Sequence, residues 1–153
     1  MADVNVDVDV DDLRARFVGV EFHRTDVEIR PERALAYAEA CGDDDPRYRD
    51  PAHPDFQVHP TYIGCLGNFG AMNPKDFPDL GKGRSIDGGK SVDIHGPIRM
   101  GDVLSGRSEI AEIYTKTGRS GTMMFIVHRM NFYNQRDEPV ATVDLRQIKA
   151  LGG

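Results

Sequence analysis

Gly121-Thr-Met-Met-Phe-Ile-Val-His-Arg-Met-Asn-Phe-Tyr133 is the stretch on which the fold turns. From Met123 to Phe132 it is apolar at both even and odd positions, which predicts a central strand covered on both faces. His128 shares a face with Met124, Ile126, Met130 and Phe132, so it reads as a buried, hydrogen-bonded side chain. Just upstream, Thr117-Gly-Arg-Ser-Gly121 is turn-like, and Val103 to Tyr114 is strand-like. Downstream, Asn134 to Glu138 is a second turn and Pro139 to Ile148 a further strand. With Ser91 to His95 these make the chain all-β from about Ser85 onward.

The first half has a different rhythm. Thr25 to Arg30 alternates polar and apolar residues as a half-buried strand does. Pro31 opens a helix where its missing N–H is harmless, Ala34, Leu35, Ala38 and Cys41 share one face, and Gly42 stops it. Residues 43–58, acidic and carrying Pro46, Pro51 and Pro54, predict an ordered but irregular loop of the length usually reserved for function. A second helix is expected from Pro60 to about Met72. Gly64, Gly67 and Gly70 recur within it and imply either a close neighbour or a break into irregular turns. One strand, two helices and four or so antiparallel strands define an α+β domain over residues 15–150. Residues 1–14 read as an acidic, flexible leader.

Composition bounds the function. Of the 153 residues, 39% are hydrophobic and 29% charged, as in a globular protein, and no apolar run approaches the ~20 residues of a membrane span. A net charge of −6 and a pI near 5.3 argue against nucleic-acid binding. The leader lacks a basic and an apolar region, so the chain reads as cytoplasmic. Cys41 and Cys65 read as core thiols rather than a disulfide framework. Asp43, Asp44, Asp45 and Asp50 lack the spacing of a calcium loop, and Gly81, Gly83, Gly88 and Gly89 are not a dinucleotide fingerprint. Neither a metal nor a cofactor is implied. Lys82, Arg84 and Lys90, with Lys116 and Arg119, are small basic patches suited to coenzyme A phosphates or an acidic carrier protein, or are solvated loops.

Several short segments occur in an informative order: Tyr37-Ala-Glu-Ala-Cys-Gly-Asp-Asp-Asp-Pro-Arg-Tyr48, Val58-His-Pro-Thr-Tyr62, Val92-Asp-Ile-His-Gly-Pro-Ile-Arg-Met-Gly-Asp102 and Gly118-Arg-Ser-Gly121. Together they resemble the MaoC-like hydratases and dehydratases, most closely the N-terminal, FAS1-like dehydratase branch. The resemblance implies a hot-dog fold, an antiparallel sheet wrapped around a central helix, with active sites between two hot dogs. Catalytic members carry Gly-Asp-x-Asn-Pro-x-His, whose Asp and His hold the water that adds to a trans-2-enoyl thioester. A backbone N–H near the start of the central helix supports the thioester oxygen.

On that alignment Asp43 takes the place of the motif Asp, Asp45 replaces Asn, Pro46 matches, and Tyr48 stands where His is expected. A phenol, with an ordinary pKa of about 10, donates hydrogen bonds at neutral pH but is a poor base. His59-Pro60 occupies the usual His-Gly position, and proline has no N–H to give; Thr61 is the replacement donor. The resemblance therefore implies an acyl-thioester-binding subunit of an (R)-specific enoyl-CoA or enoyl-carrier-protein hydratase, or of a 3-hydroxyacyl-thioester dehydratase. A partner hot dog supplies the Asp/His pair, while Tyr48, Pro60, Thr61, Tyr62 and Gly64 bind substrate. The alternatives are a self-sufficient homo-oligomer using Asp43 with His59 or Tyr48, a hot-dog thioesterase, and a non-enzymatic acyl-thioester binding module. His59 is the best replacement base or else a capping residue. His53 belongs to the proline-rich loop and His95 to a strand end.

Overall fold

A computed structural model describes residues 8–66, 72–81, 83–119 and 121–151. Five antiparallel strands form one sheet in the order β1-β3-β4-β5-β2: β1 Glu21–Glu28, β2 Ser85–Ile94, β3 Val103–Gly118, β4 Gly121–Tyr133 and β5 Pro139–Leu151. Among the described residues there are also three helices, α1 Val10–Phe17, α2 Pro31–Ala40 and α3 Pro46–Arg49, and a 3-10 turn at Pro60–Cys65. This is an α+β hot-dog domain.

The sheet is organised by β4, whose ends coincide with the expected strand. Met124, Ile126, His128, Met130 and Phe132 are buried on its inner face. Its outer face is buried at Val127 and half-buried elsewhere: Phe125 stacks on Tyr114 at 4.8 Å, and Arg129 reaches across the ladder to Asp144 in a two-pronged ion pair of 2.8 and 2.7 Å. Coverage on both faces is thus replaced by cross-strand pairing on one of them. A bulge at Ala111 lets β3 bury Leu104, Gly106, Ser108 and Ile110, then Ile113, on the same side despite the change in parity. In β2 the Gly88-Gly89 pair makes a second bulge. Gly89 has a φ of +91°, and a Cβ at Gly88 would meet Arg146 at 2.9 Å.

The inner face is covered in two patches. Ile29, Ala34, Val58, Tyr62 and Ile63 lie over Leu104, Met130, Phe132 and Val143, while Leu13 and Phe17 lie over Ile110, Ile113, Met124 and Ile126. Burying each of these large side chains contributes about 1.5–3 kcal/mol.

Five expectations need correction. Residues 10–14 are not a flexible leader but most of α1. Asp9 caps this helix by accepting from the N–H groups of Asp11 and Asp12, and Leu13 is buried. Pro60–Cys65 is a 3-10 turn, not the start of a regular α-helix, and it contains Gly64, a poor helix former at which a Cβ would lie 3.2 Å from Val92 of β2; residues 67–71 lie outside the described residues. Cys41 and Cys65 are exposed, since each falls at the end of its helix. The loop after Gly42 contains the single turn of α3.

His128 lies in the seam between the two patches, and the fifth correction concerns it. It is 3% exposed and packs beside Phe22 (ring centroids 5.6 Å apart), but neither ring nitrogen has a hydrogen-bond partner; nor has Ser108 Oγ nearby. Burial pushes its pKa down, against the pull of the Asp144 carboxylate and with the push of His23. The unfolded chain's imidazole protonates as pH falls below about 6.5, whereas the folded one resists. The unfolded state then binds more protons, and stability drops with pH. Replacing His128 by Met is expected to raise stability by about 1–3 kcal/mol through loss of the unpaired polar atoms. It should also flatten the decline between pH 6.5 and 5 in urea unfolding. Parallel pH profiles for the two proteins would contradict this.

Candidate active site

The site is built where α2 ends and the 3-10 turn begins. Gly42, with a φ of +69°, turns the chain out of α2 and delivers Asp43. Asp43 Oδ1 accepts from the Asp45 N–H at 2.9 Å. Asp45 in turn caps α3, accepting from the Arg47 N–H at 2.9 Å and pairing with its guanidinium at 2.6 Å. Arg47 holds the Asp45 carboxyl down to about 2. Arg49 donates to the Asp43 carbonyl at 3.2 Å, so the short helix pins the loop that carries Asp43.

From the other side, the Val58 N–H bonds to the Ile98 carbonyl at 2.8 Å and fixes the entry to the turn. His59 is its cap and Pro60 its first residue, where the absent N–H costs nothing. His59 Nε2 lies 3.2 Å from Asp43 Oδ2, with the His59 side chain 13% exposed and the Asp43 side chain 35% exposed. Its other nitrogen, Nδ1, is 2.9 Å from Thr61 Oγ1 and receives the Thr61 N–H at 3.3 Å. Thr61 Oγ1 is itself 2.9 Å from the Tyr37 hydroxyl. The rings of Tyr48 and Tyr37 stand 5.1 and 5.7 Å from that of His59.

The tautomer follows from these contacts. A backbone N–H can only donate, so Nδ1 is the acceptor and Nε2 carries the proton toward Asp43. With Thr61 donating its hydroxyl proton to Nδ1, the Tyr37 phenol is the donor to Thr61. A Thr61 hydroxyl turned toward the phenolate pulls the Tyr37 pKa down, but burial and the Cys65 and Cys41 thiols outweigh it and push it up to about 12, so the phenol stays protonated and is free to donate. Burial likewise raises Tyr62, against the pull of Arg33.

Two hollows flank this chain of hydrogen bonds. A cleft of about 860 Å³ is lined by Val27, Arg33, Tyr37, Tyr62, Cys65 and Leu66, among others. A smaller one of about 170 Å³ is lined by Arg47, Tyr48, Pro60, Ile94 and Ile98. The structure thus brings together Asp43, Tyr48, His59, Pro60, Thr61 and Tyr62. The Thr61 N–H, expected to face a thioester, is turned to His59 instead. Gly64 lies at the far end of the turn, its carbonyl receiving Lys90 Nζ at 2.8 Å. His53 stands apart, accepting from the Asp55 N–H, and His95 bonds to Thr142 across the sheet. Tyr37 was not among the expected site residues. Its signal was its place one turn before Cys41, on the flank of the buried Ala34–Ala38 face. Among the described residues no group of His, Cys, Asp and Glu gathers as metal ligands do, and no helix is long and apolar enough to cross a membrane.

Fold and site together define a hot-dog domain of the hydratase and dehydratase kind. Residues 16–143 match the family described as "FAS1-like, dehydratase domain region", and the chain belongs to that family. A "UPF0336 protein" of Streptomyces avermitilis is 31% identical over 115 residues, covering 69% of this chain and 77% of the relative. Another from Saccharopolyspora erythraea is 28% identical over 139 residues, covering 85% and 86%. Among solved structures, the ChsH1-ChsH2 complex from Mycobacterium tuberculosis superposes with a TM-score of 0.65 at 21% identity, over 94% of this chain and 90% of that one. The HadBC (3R-hydroxyacyl-ACP dehydratase) complex from the same organism gives 0.60 at 17%, over 86% and 99%.

A Cβ added to Gly64 would lie 3.2 Å from Val92 Cγ2. Gly64→Leu should therefore overpack the contact between the turn and β2 and cost about 1–3 kcal/mol. Thermal unfolding checks this; an unchanged midpoint would mean the turn is not pressed against β2.

Proposed function

We propose that this chain is the acyl-thioester-binding subunit of a hydro-lyase that adds water to trans-2-enoyl thioesters or removes it from 3-hydroxyacyl thioesters. A second hot-dog subunit supplies the base. The family match over 16–143 supports the reaction class, and the hetero-complexes named above, ChsH1-ChsH2 and HadBC, are precedents for division between subunits.

The observation that carries the borrowed base is the commitment of His59. Both its ring nitrogens are engaged within the chain, one by Asp43 and one by Thr61, so that while the Thr61 hydroxyl donates to Nδ1 the lone pair is turned to its own neighbour and not to a free water. Tyr48 contributes a ring and a hydroxyl donor beside it, and Pro60 offers no N–H. In this reading the acyl chain lies in the larger cleft, whose volume is in the range of small-molecule sites. Tyr37 and Tyr62 line it edge-to-face, 5.4 Å apart. The partner's base then activates water over the double bond at the mouth.

A second reading follows from the Asp43–His59 contact itself, which is the pairing a self-sufficient hydratase would use. The two separate in one experiment. The purified chain is expected to hydrate crotonyl-CoA at least about 10²-fold more slowly than the complex co-purified from its source cell, the scale of a missing general base. Equal rates, lost in Asp43→Ala and His59→Ala, would favour self-sufficiency.

A further inference from the structure

We propose that Thr61, His59 and Asp43 form a nucleophile–base–orienter triad through which this chain accepts an acyl group as a Thr61 ester and releases it to water. Three contacts carry the proposal. Thr61 Oγ1 lies 2.9 Å from His59 Nδ1, and the opposite ring nitrogen lies 3.2 Å from Asp43 Oδ2. Hydroxyl and carboxylate thus sit on opposite edges of one imidazole, the relation by which a hydroxyl becomes a nucleophile on unrelated folds. The third contact is the Tyr37 hydroxyl, a protonated donor 2.9 Å from Thr61 Oγ1, which fixes that hydroxyl so that its own proton points at Nδ1.

Placement agrees with the chemistry. Thr61 is exposed, whereas its partner His59 is largely covered. It lies between Pro60, which lines the smaller hollow, and Tyr62, which lines the larger cleft. An acyl group on Thr61 has room on one side and its leaving group on the other. The asymmetry of the triad is that Nδ1, not Nε2, faces the nucleophile, which the two-residue spacing from His59 to Thr61 dictates.

The steps balance without an added oxidant or metal. Thr61 Oγ attacks the carbonyl carbon of an acyl thioester or ester while its proton passes to His59 Nδ1. The C–S or C–O bond breaks, and the leaving thiol or alcohol takes that proton. In the ester Thr61 Oγ no longer donates to Nδ1, so the lone pair is open to water, which attacks the ester and gives its proton to Nδ1. The acid departs and Thr61 Oγ regains the proton. Only the choice of a thioester as natural substrate rests on the function proposed above; the triad itself does not.

The test uses p-nitrophenyl acetate and, separately, butyryl-CoA with the full chain. The expected result with p-nitrophenyl acetate is one acetyl group per chain, mapped to Thr61 by peptide mass spectrometry. The acylation rate should fall about 100-fold or more in Thr61→Val and His59→Gln and persist in Thr61→Ser. Melting temperatures of the variants separate this from a merely capping role, which moves stability but not acylation. Acetylation elsewhere, or an unchanged rate in Thr61→Val, overturns the proposal. Acylation by the activated ester without thiol release from butyryl-CoA sustains the triad and counts against the thioester-binding reading instead.

Discussion

Strand β4 carries five buried side chains in a row on one face, and they must be kept from water. A single long helix would do this in one piece. Here the described residues do it in two, with α2 and the 3-10 turn over one end and α1 over the other. The division has two consequences. A seam remains in which His128 and Ser108 are buried without partners, and the short turn leaves open the cleft beside Tyr37 and Tyr62. Buried unpaired polar groups are uncommon, and adjacent ones mark a place where packing was not optimised for stability alone.

The turn at Pro60–Cys65 links that packing problem to chemistry. Proline at its first position suits a helix start but removes the N–H that the family resemblance expects at the thioester. His59, the cap, takes over the orphan donor of Thr61 through Nδ1, and this leaves Nε2 to meet Asp43. A local backbone requirement therefore fixes the imidazole's tautomer, and the tautomer decides what His59 can do. It is ill placed to activate a free water and well placed to act on its own neighbour's hydroxyl.

Much of this was legible in the residues. The ends of β4, the stop at Gly42 and the turn at Asn134–Glu138 were readable because period, glycine and turn chemistry are local signals. The Asp-Val alternation at the start hid α1, whose helix depends on the Asp9 cap and on burying Leu13 and Phe17 against β3 and β4. The Pro60 helix was overestimated because apolar spacing was weighed above the poor helix preference of Gly64. Asp43 and His59 were paired in the self-sufficient alternative, but the extension through Thr61 to Tyr37 depends on α2 packing against the turn. That is a tertiary fact, and one chain read in isolation carries no trace of it.

The central claim is that an acyl thioester lies in the cleft between α2, β1 and the 3-10 turn. Hydrogen exchange of the purified chain with and without a thioether analogue of crotonyl-CoA, which can neither be hydrated nor cleaved, tests it most directly. Slowed exchange confined to Glu21–Glu28, Pro31–Ala40 and Pro60–Cys65 is the result the account predicts. An exchange pattern indifferent to saturating analogue, or protection only at the outer face of the sheet, would contradict it.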